Sequence, residues 1–580
     1  MVLATLLLSQ HVMAQFDLYV SVNQAGTLEE TVGQISATAK YNTPSMKVMG
    51  PLNGKDMMFI REMCGVSGLS TPTQGILRIL DISETYIMET DEVYINMLGR
   101  DMVTHDDRFG SGFLYNCYGL EQLYLPESII SIDSLALAGC SHLKYVEIPP
   151  TVQSIEYGAF VDCASLTSLI LPHSVENVGE GAFQRMTSLE ELTLGDNVVG
   201  LDNSALLGDS RLNTLNVGNA FQSFNPVTFY NTPVLANINV SSGNPFLHSI
   251  EGVLFNNDVD TLLAFPPASM FTEYQVPEGI KCIAPFAFCN SSIVKNVFMP
   301  TSLETVDTLA FYDCASLADV RLNDGLKTIA FGAFGGRSSL QGIAIPSSVN
   351  NIEGGAFLLN SSLANIQVGA DNLFYCVGDD GWLYDAKKEV LCHVPSMAEF
   401  DEFPAHVRIV GPYAMAGMAK SPRVALGDSV KMISDGAFAY SSFSQITMGK
   451  GVSEIGDRVV DGCAHLRAVY CFPTSLDDDK IEELAFYDES GEVASHCTLF
   501  VHPGSLSYFQ NKKGFSANGL SFFNEVRELQ NADGIEQAER EGLAGGLHVY
   551  DAAGRATGNV GRGLNILRRG KGKAIKSIVR

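Results

Sequence analysis

The cysteines are the residues with the most obvious chemical potential, because five of the twelve recur at one position of a regular spacing. These five are Cys117, Cys140, Cys163, Cys314 and Cys463. Neighbours in such a column could reach disulfide distance, about 4.4–6.8 Å between Cα atoms. Three consecutive members cannot all pair, however, and Met186 takes the next position. We therefore interpret the column as small buried hydrophobic side chains, and the sequence leaves open whether any pair is oxidised.

Three acidic segments offer ligands for a metal ion or groups for acid–base chemistry. Asn256–Thr261 reads NNDVDT and Gly378–Gly381 reads GDDG, but neither has the spacing or the closing Glu of a calcium loop. Both fall at expected hairpin turns, where Asn, Asp and Gly are common. We predict no metal site, with Ca²⁺ at these turns as the alternative. Thr104–Asp107 reads THDD, but adjacent residues of an extended chain point apart, so we expect a loop.

The motifs of the common enzyme classes are absent from the sequence. It contains no G-x-S-x-G, no P-loop, no G-x-G-x-x-G, no C-x-x-C and no H-E-x-x-H. We therefore predict no catalytic residues, no cofactor and no enzymatic activity. The formal charge of −28 and the pI of about 4.7 argue against a nucleic-acid partner, which would need clustered Lys and Arg.

A repeat of 23 residues supplies the elements that position these side chains. Leu120, Leu123 and Leu125 begin three apolar columns that stay in phase through six turns. The first two columns continue through Leu143, Leu166, Leu189, Leu212 and Leu235, and through Val146, Leu169, Leu192, Leu215 and Ile238. An aromatic column resumes later at Phe288, Phe311, Phe334 and Phe357. Such self-similarity is the signature of a repeat architecture.

The repeat predicts a solenoid. Alternation in L-x-L is typical of a short strand with two side chains inside and their neighbours outside. One repeat buries too little apolar surface to offset the cost of ordering its backbone, so the turns must stack on one another. We expect a mainly β solenoid with some helix, in which strands of successive turns form a parallel ladder, capped at both ends and interrupted by two β-hairpins.

The order P-x-[ST]-V-x-x-I-x-x-x-A-F-x-x-C resembles the BspA-like leucine-rich repeat proteins of bacteria. Leu171–Phe183 and Ile345–Phe357 match it closely, and the resemblance covers roughly residues 27 to 528. It implies a leucine-rich repeat fold. It also implies a protein that is displayed on the cell surface or secreted, with adhesion to host proteins or to other bacteria as the expected role.

Both ends of the chain suggest export. An apolar run, Val2–Leu8, precedes Val12-Met13-Ala14, which predicts a signal peptide cleaved after Ala14. No segment reaches the roughly 18 apolar residues of a transmembrane helix. From Glu541 onward there are eight Lys/Arg against two Asp/Glu. This tail resembles the type IX secretion and sorting tails of bacteroidete proteins, with a small β-hairpin or a basic tail folded onto the acidic body as alternatives.

The regions between these ends are assigned from the repeat and its interruptions. Thr27 and Glu30 have the spacing of a capping box that begins a helix. The predicted regions are 1–14, signal peptide; 15–83, N-terminal cap and first strand; 84–112, insertion; 113–242, first repeat block; 243–276, hairpin insertion; 277–370, second block; 371–403, hairpin insertion; 404–473, third block; 474–528, C-terminal cap; and 529–580, linker and basic sorting-like tail.

The residues that flank the central apolar residue of each strand face outward, and they vary where the core positions do not. We predict that this strip binds an extracellular protein or glycan, with a purely structural surface layer or the scaffold of an unrecognised secreted enzyme as alternatives. The strip comprises Gln122, Tyr124, Tyr145, Glu147, Ser168, Ile170, Glu191, Thr193, Asn216, Asn237, Asn296, Phe298, Asp319 and Arg321. The sequence names neither the ligand nor the oligomeric state.

Overall fold

The computed structural model describes residues 16–529, apart from 69, 70, 98, 203, 225, 230, 231, 474, 475, 477, 511, 518 and 519. It also describes the tail segments 547–550, 556–557, 563–569 and 575–579. The chain divides into two compact units: residues 1–270 with 286–293, and residues 271–285 with 294–580. The predicted signal peptide and its cleavage after Ala14 lie outside the described residues.

The strands of the first unit are short, and their bounds follow the repeat. They are β1 (Leu18–Ser21), β2 (Ser45–Leu52), β3 (Ile79–Asp81), β4 (Thr85–Ile87), β5 (Thr90–Met97), β6 (Arg100–Thr104), β7 (Arg108–Phe109), β8 (Gln122–Tyr124), β9 (Ser131–Ile132), β10 (Tyr145–Glu147), β11 (Ser154–Ile155), β12 (Ser168–Ile170), β13 (Asn177–Val178), β14 (Glu191–Thr193), β15 (Gly200–Leu201), β16 (Thr214–Val217), β17 (Ser223–Phe224), β18 (Asn237–Val240), β19 (Leu247–Ile250), β20 (Val253–Asn256) and β21 (Thr261–Ala264). The helices are α1 (Leu28–Ile35), α2 (Ala39–Asn42), α3 (Gly54–Met63) and a 3₁₀ turn, Pro226–Phe229.

Each turn of the first unit contributes one strand to each of two parallel ladders. The L-x-L strands pair in the orders β1-β2-β3-β8-β10 and β12-β14-β16-β18, while the V-x-x-I segments pair as β13-β11-β9-β7. The Ala-Phe segments add a third line of hydrogen bonds, because Leu137 N donates to Ala159 O and Phe160 N donates to Ala182 O, both at 2.9 Å. The predicted parallel solenoid is confirmed.

The segment predicted as the N-terminal cap contains β1, β2 and the helices α1 to α3, and its helix-capping contacts differ from the prediction. Thr27 makes no side-chain cap of α1, and its hydroxyl donates to Gln24 O instead. The Asp56 carboxylate from α3 accepts the Leu28 N–H at 2.9 Å, and Asp56 also forms a capping box with Asn53 at its own helix. The Thr27–Glu30 capping box was therefore wrong, because a long-range carboxylate satisfies the start of α1.

The strands of the second unit follow the same repeat. They are β22 (Glu273–Gln275), β23 (Cys282–Ile283), β24 (Asn296–Phe298), β25 (Thr305–Val306), β26 (Asp319–Arg321), β27 (Thr328–Ile329), β28 (Gly342–Ile345), β29 (Asn351–Ile352), β30 (Asn365–Val368), β31 (Tyr375–Val377), β32 (Leu383–Asp385), β33 (Val390–His393), β34 (Ile409–Val410), β35 (Arg423–Ala425), β36 (Met432–Ile433), β37 (Gln445–Met448), β38 (Glu454–Ile455), β39 (Ala468–Cys471), β40 (Thr498–Val501), β41 (Ser516–Ala517), β42 (Leu520–Ser521), β43 (Glu525–Glu528), β44 (Leu547–Tyr550), β45 (Ala556–Thr557), β46 (Gly563–Arg569) and β47 (Ile575–Val579). Its helices are a 3₁₀ turn, Asp478–Lys480, α4 (Glu492–His496) and α5 (Leu506–Gln510).

The second unit also contains two parallel ladders. Its L-x-L strands pair as β22-β24-β26, β28-β30 and β35-β37-β39-β40-β43, the last of which includes the C-terminal cap. The opposite ladder contains β23, β25, β27 and β29, and then β33, β34, β36 and β38. In the tail, β45-β44-β46-β47 form an antiparallel sheet. A sorting role for this tail stays a prediction.

The core of both units is built from the predicted columns. Phe160 and Phe183 are fully buried, with ring centroids 6.2 Å apart, and Phe334 stacks on Phe311 at 5.4 Å and on Phe357 at 6.3 Å. All five cysteines of the column are buried. The Cys140 thiol donates to Leu114 O at 3.1 Å. These cysteines therefore act as small core residues, as predicted.

Each insertion that was predicted to be a two-stranded hairpin contains three strands. The first insertion forms the antiparallel meander β19-β20-β21, and the second forms β31-β32-β33. The third strand, β33, pairs in parallel with β34 and so joins the next solenoid ladder. The second meander therefore passes directly into repeat structure at one edge. The insertion at 84–112 contains the antiparallel pair β5 and β6, and β7 already belongs to a ladder.

Candidate binding surface

The predicted strip is assembled by the register of the parallel strands. Gln122 lies beside Tyr145, and Tyr124 lies beside Glu147, while Leu123 between them is fully buried. Seven strip residues are exposed: Tyr145, Glu147, Ser168, Ile170, Glu191, Asn237 and Arg321. The other seven are half-buried: Gln122, Tyr124, Thr193, Asn216, Asn296, Phe298 and Asp319. The outward orientation predicted for all fourteen is therefore observed, and their binding role stays a prediction.

A tyrosine pair is the most exposed aromatic feature of the strip in the first unit. The ring centroids of Tyr124 and Tyr145 lie 5.5 Å apart, and the Tyr145 hydroxyl donates to the Glu147 carboxylate at 3.3 Å. Burial raises the pKa of both phenols, and the charges of Asp81 and Glu147 add to the effect at Tyr124. Both hydroxyls therefore keep their protons at neutral pH and can donate hydrogen bonds.

The register extends this surface into the N-terminal cap, which the strip prediction did not include. Tyr19, Lys47 and Asp81 occupy the same row as Tyr124. Lys47 Nζ lies 3.0 Å from Asp81 and 2.8 Å from Glu84. Burial alone would lower the pKa of Lys47, but hydrogen bonds to both carboxylates outweigh it and raise the pKa. The tyrosines are thus bordered by a fixed cation and its two partners.

Further along the first unit, the strip is occupied by side chains that bind one another. Asn216 Nδ2 donates to Glu191 Oε1 at 2.8 Å and to Thr193 Oγ1 at 2.9 Å. Asn239 Nδ2 in turn donates to Asn216 Oδ1 at 2.9 Å. These cross-strand bonds stabilise the ladder and use groups that a ligand would need. The tyrosine end of the strip is therefore the better candidate for binding.

The strip of the second unit presents an aromatic ring covered by a cation. The Arg321 guanidinium lies 5.0 Å from the Phe298 ring centroid and is held by Asp319 at 3.2 Å. Glu273 lies beside Asn296 in the register and accepts a hydrogen bond from its amide at 2.8 Å. Cation–π contacts at such exposed positions contribute about 0.5–1 kcal/mol. The charged groups of this patch are already paired with one another, in contrast to the open tyrosine pair.

The second unit contains an aromatic pair that lies outside the strip predicted from the sequence. Tyr470 and Phe500 are neighbours in the register, with ring centroids 4.7 Å apart and planes inclined by 11°. Arg527 continues the row beside Phe500. The signal was present, because Val469 and Cys471 flank Tyr470 in the usual apolar alternation. The predicted strip ends at Arg321, so it does not include the third block or the C-terminal segment.

The acidic segments that could hold a metal are used as turns. Asn256 Oδ1 accepts the N–H groups of Asp260 and Thr261, both at 3.0 Å. Asp380 accepts the Trp382 N–H at 2.9 Å and the Tyr384 hydroxyl at 2.5 Å. Within the part of the chain that the structure describes, no group of three or more His, Cys, Asp or Glu is arranged to bind a metal ion.

The repeat also identifies the family. The family described as BspA type leucine rich repeat region matches the chain in six copies, over residues 107–236, 264–375 and 392–498. The chain belongs to this family. Its solenoid, Cys column and Ala-Phe turns are the features of BspA-type repeats that the sequence motifs had indicated. A comparison with curated proteins finds no match.

Several solved structures are similar to this BspA-type chain at low identity. The pneumococcal vaccine antigen PcpA is 19% identical, over 67% of this chain and 76% of its own, with a TM-score of 0.40. A leucine rich cell surface protein from Faecalibacterium prausnitzii is also 19% identical, over 72% and 89%, with a TM-score of 0.34. A leucine-rich repeat protein from Bacteroides ovatus is 16% identical, over 64% and 85%, with a TM-score of 0.26.

None of the helices in the described residues has both the length and the apolar character needed to cross a bilayer.

Proposed function

We propose that this BspA-type protein is exported to the bacterial surface or secreted and binds an extracellular protein or glycan through its strand strip. The observation that carries the proposal is the Tyr124–Tyr145 pair, with Tyr145 43% exposed on a rigid ladder. Tyrosine provides a large contact area with few rotatable bonds, so little conformational entropy is lost on binding. The family membership supports a binding role over a catalytic one.

The strip favours a broad contact. The first unit presents Tyr124 and Tyr145, and the second presents the Tyr470–Phe500 pair beside Arg527. Each patch by itself is small, and a ligand that engages more than one gains avidity from the effective concentration at the second site. The charge of −28 favours ligands that are neutral or basic.

An array of host extracellular proteins and glycans tests the proposal. The double variant Tyr124→Ala/Tyr145→Ala should lose at least tenfold in affinity for the ligand that the natural protein captures. Tyr157→Ala is the matched control, because Tyr157 is a tyrosine of the same unit, 54% exposed, that lies outside the strip. Unchanged binding by the double variant, or equal loss by the control, would move the site away from the strip.

Mass spectrometry of the protein recovered from culture tests export and the tail. Export predicts a mature chain that begins at Gln15, after cleavage at Ala14. A sorting role for the tail predicts a chain that ends before the basic segment. A recovered protein that still carries Arg580 contradicts the sorting role, and one that still carries the first fourteen residues contradicts the signal peptide.

A further inference from the structure

A small apolar cluster of the second unit lies beside the Ala-Phe segments and is separate from the main core. Its buried members are Leu358, Ala416 and Ala439. The half-buried rings of Phe331 and Tyr413 pack against it, with centroids 5.3 Å apart, although the second meander separates them in the chain. Tyr440 follows Ala439 and is 47% exposed. These three rings, Phe331, Tyr413 and Tyr440, are called the aromatic platform below.

Two glycines let the tyrosine rings of the platform lie directly on the backbone. A Cβ atom at Gly436 would come within 2.4 Å of Tyr413 Cε1, and one at Gly462 would come within 2.4 Å of Tyr440 Cδ1. Carbon atoms in contact are normally about 3.5–4.0 Å apart, so only glycine permits this approach. Each ring is therefore supported on one face by the protein, and a ligand that binds it has little side-chain motion to arrest.

The corresponding positions of the first unit show that the fold does not require aromatic rings here. Leu135 lies over Gly158, and Arg185 lies over Gly208, in the same close approach to a glycine. Leu135 and Arg185 have φ angles of 56° and 58°, and Tyr413 and Tyr440 have φ angles of 53° and 57°. The backbone is thus the same, and it accepts an aliphatic or a cationic side chain equally well. The aromatic platform is a feature of the second unit.

The tyrosines of the platform lie in a negative potential. Four carboxylates act on the two phenols: Asp435, Asp457, Asp461 and Glu489. Burial is the largest cause of the raised pKa of both Tyr413 and Tyr440, and these charges add to it. Arg458 acts in the opposite direction on Tyr413, but it is itself paired with Glu489 at 3.5 Å. Within the described part of the chain, the three aspartates form no ion pair with a Lys or Arg.

A neighbouring ring shows which group fits an aromatic face beside a carboxylate. The Arg458 guanidinium lies 5.6 Å from the Tyr487 ring centroid and is paired with Glu489. A planar guanidinium can stack on a ring while its N–H groups bind a carboxylate. The strip of this unit contains the same arrangement. Among the described residues, no Lys or Arg lies over Tyr413 or Tyr440.

We propose that the aromatic platform docks an arginine-rich segment of a partner protein. Guanidinium groups of the segment stack on Tyr413 and Tyr440 and pair with the aspartates beside them. The opposite charges of the segment and of this surface also favour their encounter. A lysine-rich segment of equal charge fits less well, because an ammonium group has no plane to stack and no fork of donors. The platform shares no residue with the strip, so this site is independent of the proposed strip binding.

Fluorescence anisotropy of labelled peptides, titrated with the full chain, tests the proposal. The probes are four repeats of Arg-Gly, of Lys-Gly and of Glu-Gly. The arginine peptide should bind saturably and at least fivefold more tightly than the lysine peptide, and the glutamate peptide should not bind. Tyr413→Ala/Tyr440→Ala should weaken binding of the arginine peptide at least fivefold. Asp435→Asn/Asp461→Asn should also weaken it and should reduce its dependence on salt.

Matched variants separate the platform from other exposed tyrosines. Tyr157→Ala is the control on the first unit, because Tyr157 precedes Gly158 as Phe331 precedes Gly332. This variant and the strip variant Tyr124→Ala/Tyr145→Ala should bind the arginine peptide unchanged. Trp382 is the only tryptophan and is buried in the second unit. Its fluorescence therefore shows whether each platform variant has kept its fold.

Three results would overturn the proposal. Equal affinity for the arginine and lysine peptides would mean that net charge alone drives binding. Binding that the platform variants leave unchanged would place the site elsewhere. Platform variants that instead lose capture of a glycan on the array, or that convert a dimer into a monomer in sedimentation, would assign the platform to another occupant. Failure of strip binding in the array leaves this test untouched.

Discussion

The meanders of the two units are anchored alike and filled differently. Asn244 accepts the N–H groups of Phe246 and Leu247 and donates to two carbonyls of the preceding turn. Asn372 repeats the same four hydrogen bonds one unit later. Behind the anchor, the first meander is apolar and the second holds Tyr375 and His393. The two meanders thus share the same anchor and differ in the residues packed behind it.

Each unit buries a titratable side chain that has one polar atom without a hydrogen-bond partner among the described residues, and this side chain differs between the units. In the first unit, Asp209 occupies the Cys column, where its Oδ1 accepts the Met186 N–H at 2.8 Å and its Oδ2 has no hydrogen-bond partner. Burial raises the pKa of Asp209 to about 8, whereas it lowers that of His393 in the second unit to about 4. Both groups are therefore neutral when folded near pH 7, and they respond to pH in opposite directions.

The largest expected effect is the loss of stability of the first unit at high pH. Folded Asp209 holds its proton up to about pH 8 and the unfolded residue loses it near pH 4, so the free energy of unfolding falls as pH rises between these values. The difference is about 6 kcal/mol at about 1.4 kcal/mol per unit of pKa. Asp209→Asn should abolish this pH dependence. Amide hydrogen exchange of first-unit peptides at pH 5 and 8 measures it, and a wild-type unit equally stable at both contradicts the assignment.

The next largest effect on stability is expected at Asn244 and Asn372, the two anchors, which make matching hydrogen bonds in the two units. Asn244→Ala removes four hydrogen bonds at a buried position, which should cost about 4 kcal/mol at roughly 1 kcal/mol each. Asn372→Ala removes the same four bonds, but its half-buried site lets water replace some of them, so about 2 kcal/mol is expected. Urea unfolding of both variants followed by circular dichroism compares them. Equal and negligible losses would show that the anchors do not hold the meanders.

His393 should produce a smaller effect at acid pH in the second unit. Between about pH 6.5 and 4 the unfolded histidine takes up a proton that the folded one refuses, so the free energy of unfolding falls as pH falls. The loss should reach about 3 kcal/mol at pH 4. His393→Leu should remove this component. Urea unfolding followed by Trp382 fluorescence at pH 7.5 and 4 isolates the second unit, and an unchanged slope in the variant contradicts the prediction.

The smallest expected effect on stability is at the strip. Tyr145→Ala removes an exposed aromatic contact with Tyr124, which should cost less than about 1 kcal/mol. The circular dichroism melting curve of the variant should therefore overlay closely on that of the natural protein. A loss of several kcal/mol would mean that the tyrosine pair holds the ladder together, and any binding defect of the variant would then reflect folding.

Much of the fold could be predicted from the sequence because its contacts are periodic. Leu123, Leu169 and Phe160 each pack on a residue one turn away, so a fixed spacing of 23 encodes both the partner and the side that faces inward. The same argument gave the outward strip at Tyr124 and Tyr145, and it could also have found Tyr470. Period and alternation therefore determine the ladder, its core and the residues exposed on it.

Only the tertiary structure decided the contacts that do not repeat. Asp56 caps α1 from another helix, although Thr27 and Glu30 have the local spacing of a capping box. The third strand of each meander forms by pairing with neighbouring strands of the sheet, and no repeat spacing in the sequence predicts it. The aromatic platform exists because Phe331 and Tyr413 meet from either side of the second meander. Such features depend on contacts between distant parts of the chain, and no local sequence pattern predicts these contacts.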